Sequence, residues 1–77
     1  MRADFFDETI NAFATRVPFK PFTVVLVNGN RFEIDHPRAV VYRDGGAVYL
    51  GPGSIPVIFD HEGVSEFVGD LSGKAEA

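Results

Sequence analysis

The 77-residue chain contains no cysteine and no tryptophan. Without cysteine there are no disulfide staples, no cysteine-ligated zinc and no thiol chemistry, and the chain suits a reducing compartment. Long apolar runs are missing too, since stretches such as Val24 to Val27 fall far short of the ~20 residues that a membrane-spanning helix needs. The opening Met1-Arg2-Ala3-Asp4 carries no apolar signal segment, so an unexported, cytoplasmic chain is expected. Charged residues make up 23%, too few for a disordered acidic chain, whereas 45% apolar residues with eight phenylalanines supply a core. A chain of this length buries only about 60% of its unfolded surface, so its stability has to come from packing or assembly.

Basic residues are also scarce. The net charge of −4 argues against a dedicated nucleic-acid binder, because phosphate neutralisation needs clustered lysine and arginine. The charge is unevenly spread. Residues 16–43 hold Arg16, Lys20, Arg31, Arg38 and Arg43 against Glu33 and Asp35, while residues 44–77 hold only Lys74 against Asp44, Asp60, Glu62, Glu66, Asp70 and Glu76. A mixed solvated surface accounts for this pattern, and so does self-association of unlike patches.

An amphipathic helix is predicted over residues 4–16, where Phe6, Ile10, Phe13 and Val17 form one stripe. Asp4 is the expected N-cap, Arg16 lies in the last turn, and Pro18 ends the helix. Phe5 falls off the stripe. Pro18-Phe19-Lys20-Pro21 then reads as an extended connector into a hairpin, Phe22–Val27 and Arg31–His36. A three-residue loop, Asn28-Gly29-Asn30, pairs Leu26 with Phe32, Val24 with Ile34 and Phe22 with His36, placing the apolar side chains on one face. The same reasoning over Asp44-Gly45-Gly46 pairs Arg43 with Ala47, Val40 with Leu50 and Tyr42 with Val48. The opposite face then holds Val41 beside Tyr49 and is only half polar. A sheet with two partly apolar faces has to curl or find company. After Gly51-Pro52-Gly53 the chain resumes at Ile55–Phe59 and turns at Asp60–Gly63 before Val64 to Val68. Pro56 places its strand at an edge, at a strand start or at a bulge.

One helix and five short antiparallel strands are too few for a flat sheet to bury eight phenylalanines, and predict a mainly β domain, a small curled barrel capped by the helix. Residues 1–68 form this single domain and 69–77 a flexible tail. The expected core is Phe6, Ile10, Phe13, Phe22, Val24, Leu26, Phe32, Ile34, Val48, Leu50, Val57 and Phe59, with Leu26→Ala among the costliest substitutions at about 2–5 kcal/mol.

The order of helix, long hairpin, second hairpin and last strand resembles the Sm-like (SH3-like) fold, which implies single-stranded RNA binding as an alternative function. Arg38, Arg43 and Tyr49 would be its contacts here. Where the family's first signature has an acidic residue and an asparagine, this chain has Arg38-Ala39-Val40-Val41-Tyr42, and Leu50-Gly51 lacks the arginine of the second. Pro18-Phe19-Lys20-Pro21-Phe22 followed by a hairpin and His36-Pro37 resembles a group of small bacterial proteins of unassigned role, which implies a bacterial-type origin and no particular activity.

Asp35-His36 and Asp60-His61-Glu62 are the places where histidine and carboxylates cluster. Neighbours on a strand point to opposite faces, so a strand end and a turn explain them better than a metal site. Ser54, Ser65 and Ser72 lie in no nucleophile-elbow context. The expectation is therefore no enzyme, no cofactor and no metal, but a protein-interaction or self-assembly module. Its homo-oligomer interface would pair the edge strand Val64 to Val68, bringing Arg31, Arg38 and Arg43 toward Glu62, Glu66 or Asp70, with Val64 and Phe67 on the same strand.

Overall fold

The apolar stripe forms a helix, α1 (Ala3–Ala14), in the computed structural model, which describes residues 1–71. Phe6, Ile10 and Phe13 are its buried face. The helix ends differ from expectation because Arg2 and Thr15, rather than Asp4 and Arg16, stand at them. Arg2 is the N-cap, and its carbonyl accepts from Phe6 N at 2.9 Å. Asp4 sits inside the first turn, where it accepts from Phe5 N and pairs with Arg2 at 2.8 Å. At the other end Thr15 folds back on the Asn11 carbonyl through both its N–H and its hydroxyl. Arg16 and Val17 thus lie beyond the helix, and Val17 is exposed rather than part of the stripe. No helix among the described residues is long and apolar enough to cross a membrane.

Six strands follow: β1 (Phe22–Leu26), β2 (Arg31–Ile34), β3 (Val40–Arg43), β4 (Gly46–Gly51), β5 (Ile55–Asp60) and β6 (Val64–Val68). They form two three-stranded antiparallel sheets, β2-β1-β6 and β3-β4-β5. The five-stranded Sm-like barrel expected from the sequence is overturned: among the described residues the sheets are separate and do not close. The break lies at His36-Pro37. There the chain makes a short 3-10 turn in which His36 accepts from Arg38 N through Nδ1 and from Ala39 N through its carbonyl. Backbone groups that a continuous bent strand would offer its neighbours are satisfied locally, and Pro37 has no N–H to offer. β5 and β6 are likewise separate strands in different sheets, parted at Asp60–Gly63, where Gly63 N reaches the Asp60 carbonyl and carboxylate. Both β5, with Pro56, and β6 are edge strands.

The two hairpins depart from expectation in different ways. The β1–β2 loop has three residues as predicted, but they are Val27-Asn28-Gly29, with Gly29 at φ 92 and Leu26 N bonded to the Asn30 carbonyl. Phe22 therefore faces Ile34 and Val24 faces Phe32, a shift of two that leaves every face unchanged. The β3–β4 loop has two residues, Asp44-Gly45, both with positive φ (51 and 84). Arg43 pairs with Gly46, Tyr42 with Ala47 and Val40 with Tyr49. That is a shift of one, which turns β4 over.

Consequently Ala47 and Tyr49 enter the core, while Val48 and Leu50, expected inside, are 41% and 52% exposed. Phe6, Ile10, Phe13, Phe22, Val24, Ile34 and Phe59 are buried as read from the sequence, joined by Val40 and Val64. Leu26, Phe32 and Val57 are only partly buried, Leu26 lying at an irregularity in the β1–β6 pairing. Aromatic rings tie the layers together. Phe6 meets Phe59 of one sheet edge-on at 6.0 Å and Phe67 of the other at 5.7 Å, Phe13 stacks on Phe22 at 4.8 Å, and Phe32 stacks on Tyr49 at 5.5 Å.

Candidate functional site

Strand register decides what each sheet shows on its outer side, since laterally paired residues share a face. Across β2-β1-β6 the outward rows are Arg31, Val25 and Glu66, then Glu33, Thr23 and Val68. That surface is mostly polar. Across β3-β4-β5 the rows are Arg43, Gly46 and Asp60, then Val41, Val48 and Ile58, with Leu50 and Pro56 beyond. Val41 is 70% and Ile58 79% exposed, so the middle of this sheet presents an apolar surface to solvent. Gly46, Val48, Ile58 and Asp60 also line a groove of about 460 Å³ that runs toward Leu26, Val27 and Asn28 at the end of β1. An apolar patch of this kind, edged by charge, is a usual mark of a docking surface.

The residues singled out from the sequence are scattered by comparison. Arg31, Arg38, Arg43, Glu62 and Glu66 are exposed, on β2, the 3-10 turn, β3, the β5–β6 turn and β6 respectively. Val64 is 1% exposed and Phe67 packs against Phe6, Phe13 and Phe22, so neither side chain is available to an edge-strand partner. Asp70 pairs with Lys20 at 3.0 Å. Ser72, Lys74 and Glu76, and with them most of the expected tail, lie outside the described residues.

Tyr49 was expected to face outward as a base-stacking ring. It is 3% exposed, a consequence of the two-residue turn, and its ring lies on Phe32 inside the core. Burial pushes its phenol pKa above 10.0, aided by the neighbouring carboxylate of Asp35 and by the charge of Glu33.

Compared with known proteins, the chain has no significant match to any family model, curated protein or solved structure.

The polar groups nearest the helix are occupied in holding it. Asp7 accepts from Gly45 N at 2.8 Å, Asn11 accepts from the Tyr42 hydroxyl at 2.6 Å, and His61 Nδ1 lies 2.8 Å from the Met1 carbonyl. These contacts pin α1 to the β3–β4 and β5–β6 turns. Among the described residues, no three His, Asp or Glu side chains gather where a metal would sit. The outward apolar residues of this candidate surface that sequence reasoning missed are Val48, Leu50 and Ile58, and the signal that finds two of them is Asp44-Gly45, a dipeptide suited to a two-residue turn.

Proposed function

We propose that this chain is a non-enzymatic protein-interaction or self-assembly module that works through the outer face of β3-β4-β5. The observation that carries the reading is the row Val41, Val48, Ile58, apolar and open on a three-stranded sheet whose inner face already packs the core. Water contact with three aliphatic side chains in one row costs free energy at roughly 25 cal/mol per Å², which a covering surface returns. Partner chemistry follows from the same face: an apolar, flat protein surface with charges at its rim.

The test is photo-cross-linking in cells. A benzophenone amino acid placed at position 48, 58 or 41 is expected to form protein adducts, and one at position 33, on the polar face of the other sheet, is not. If the three apolar positions yield no more adduct than position 33, the reading fails.

A further inference from the structure

We propose that the occupant of this face is a second copy of the chain, docked sheet to sheet about a two-fold axis that runs parallel to β4. The inference rests on the interaction-module reading and adds to it a partner and an orientation.

The argument is the placement of charge. Arg43 on β3 and Asp60 on β5 stand at opposite ends of one lateral row, with Gly46 between them. When two copies meet face to face, the two-fold axis lies in the plane of contact and relates the same patch on both. An axis along β4 carries β3 of one copy over β5 of the other. Val48 then meets its own counterpart, Val41 lies over Ile58, and Arg43 lies over Asp60 twice by symmetry. An axis across the strands instead carries the charged row over the opposite end of the sheet, so that Asp60 sits over Pro56 and neither charge is paired. Desolvated charges without partners are costly, so the first arrangement is selected.

The local details suit it. Among the described residues Arg43 is held only by its neighbour Asp44, at 3.6 Å with both side chains 90% exposed, a contact worth little in water. Asp60 gives one carboxylate oxygen to Gly63 N at 3.0 Å, and a carboxylate accepts at both oxygens. Gly46 has no side chain to obstruct the centre of the row, and packed sheets stand roughly 10 Å apart, a span that an arginine reaching an aspartate covers.

Light scattering on purified protein at high micromolar concentration tests this. The wild type is expected to run at twice the chain mass, and V48K, a change on the outer face, at the monomer mass with its fold retained by circular dichroism. R43D alone and D60R alone each set like charges against one another and should weaken association by about tenfold or more. Mixed in equal amounts, these two variants should form heterodimers, and the double variant R43D/D60R should recover the homodimer. Should D60R lose the turn bond to Gly63 and fail to fold, V48K and R43D carry the test. A monomeric wild type, a dimeric V48K, or an R43D that dimerises as tightly as wild type overturns the proposal. Adducts at position 48 to a different protein would do so while leaving the interaction reading standing; no adducts at all would remove both.

Discussion

The two sheets are built from hairpins of similar length, yet one shows the solvent Arg31, Glu33, Thr23 and Glu66 and the other Val41, Val48, Leu50 and Ile58. The first is an ordinary one-sided antiparallel sheet, apolar within and mostly polar without. The second is apolar on both sides, because Ala47 and Tyr49 fill the inward positions of β4 and leave its larger aliphatic residues outside. A fold that needed only to bury hydrophobic surface would turn β4 the other way. That it does not shows how strongly the turn sets strand parity.

The largest expected effect comes from two neighbours on β4. Tyr49→Ala removes a buried ring that joins the sheets through Phe32 and should cost about 3–5 kcal/mol, enough to unfold a domain of this size. Val48→Ala, measured in dilute solution where chains are apart, should change stability by less than about 0.5 kcal/mol. Urea unfolding of both variants decides the matter. The reverse order would mean that β4 faces the other way and that the apolar outer surface does not exist.

What was legible in the sequence follows the range of the interactions concerned. The helix was readable from Phe6, Ile10 and Phe13, whose spacing alone defines the stripe, but its ends were not, because Arg2 caps through its backbone carbonyl alone and Thr15 ends the helix by folding its N–H and hydroxyl back on Asn11. The faces of β1 and β2 survived because the error in the first hairpin was a shift of two, and β5 keeps Phe59 inward as its own alternation suggests. Those of β4 did not survive, since counting Gly46 as part of the loop shifts register by one, and the greater hydrophobicity of Val48 and Leu50 made the wrong face look right. The division into two sheets depends on β6 choosing β1 rather than β5, a long-range pairing that no local pattern announces. Of the candidate surface, the sequence disclosed that one sheet would be apolar on both sides, with Val41 among its outward residues. The side chains of Val64 and Phe67, which the sequence offered to an edge-strand partner, pack into or against the core, while β6 itself stays at the edge of its sheet.

Next in size is a comparison of the two turns. Gly29 and Gly45 both hold left-handed backbone, at φ 92 and 84, but around Gly29 an added Cβ meets nothing within 4 Å, whereas at Gly45 it comes within 2.8 Å of the His61 ring and 3.1 Å of Ala3. His61 cannot easily retreat, because its ring nitrogen holds the Met1 carbonyl and its own N–H bonds the Gly45 carbonyl at 2.7 Å. Gly29→Ala should therefore cost about 1 kcal/mol from backbone strain alone, and Gly45→Ala about 3 kcal/mol from strain and crowding together. Thermal unfolding of the two variants measures the difference. Equal losses would show that α1 is not clamped against the second hairpin, and the account of how that turn is held would fail.

The smallest effect concerns the phenol of Tyr49, which feels the carboxylate of Asp35 beyond the end of β2. Its pKa in the fold is raised, first by burial and then by Asp35 and Glu33, above an unfolded value near 10.0. Between those two values the folded state keeps a proton that the unfolded chain has released, so stability falls as pH rises through that window. The contribution is whole below pH about 10 and is lost as pH climbs through the folded value. Tyr49→Phe keeps the ring on Phe32 and removes the titration. At neutral pH it should cost no more than about 1 kcal/mol, since only the polar contact of the phenol with Asp35 is lost. Above pH about 10 the wild type loses this advantage and the variant does not, so the gap between them narrows with rising pH. Melting temperatures of both proteins taken from neutral pH to about pH 11 give the comparison. A gap that stays constant throughout would place the phenol in water, and with it would go the inward face of β4 on which the difference between the two sheets depends.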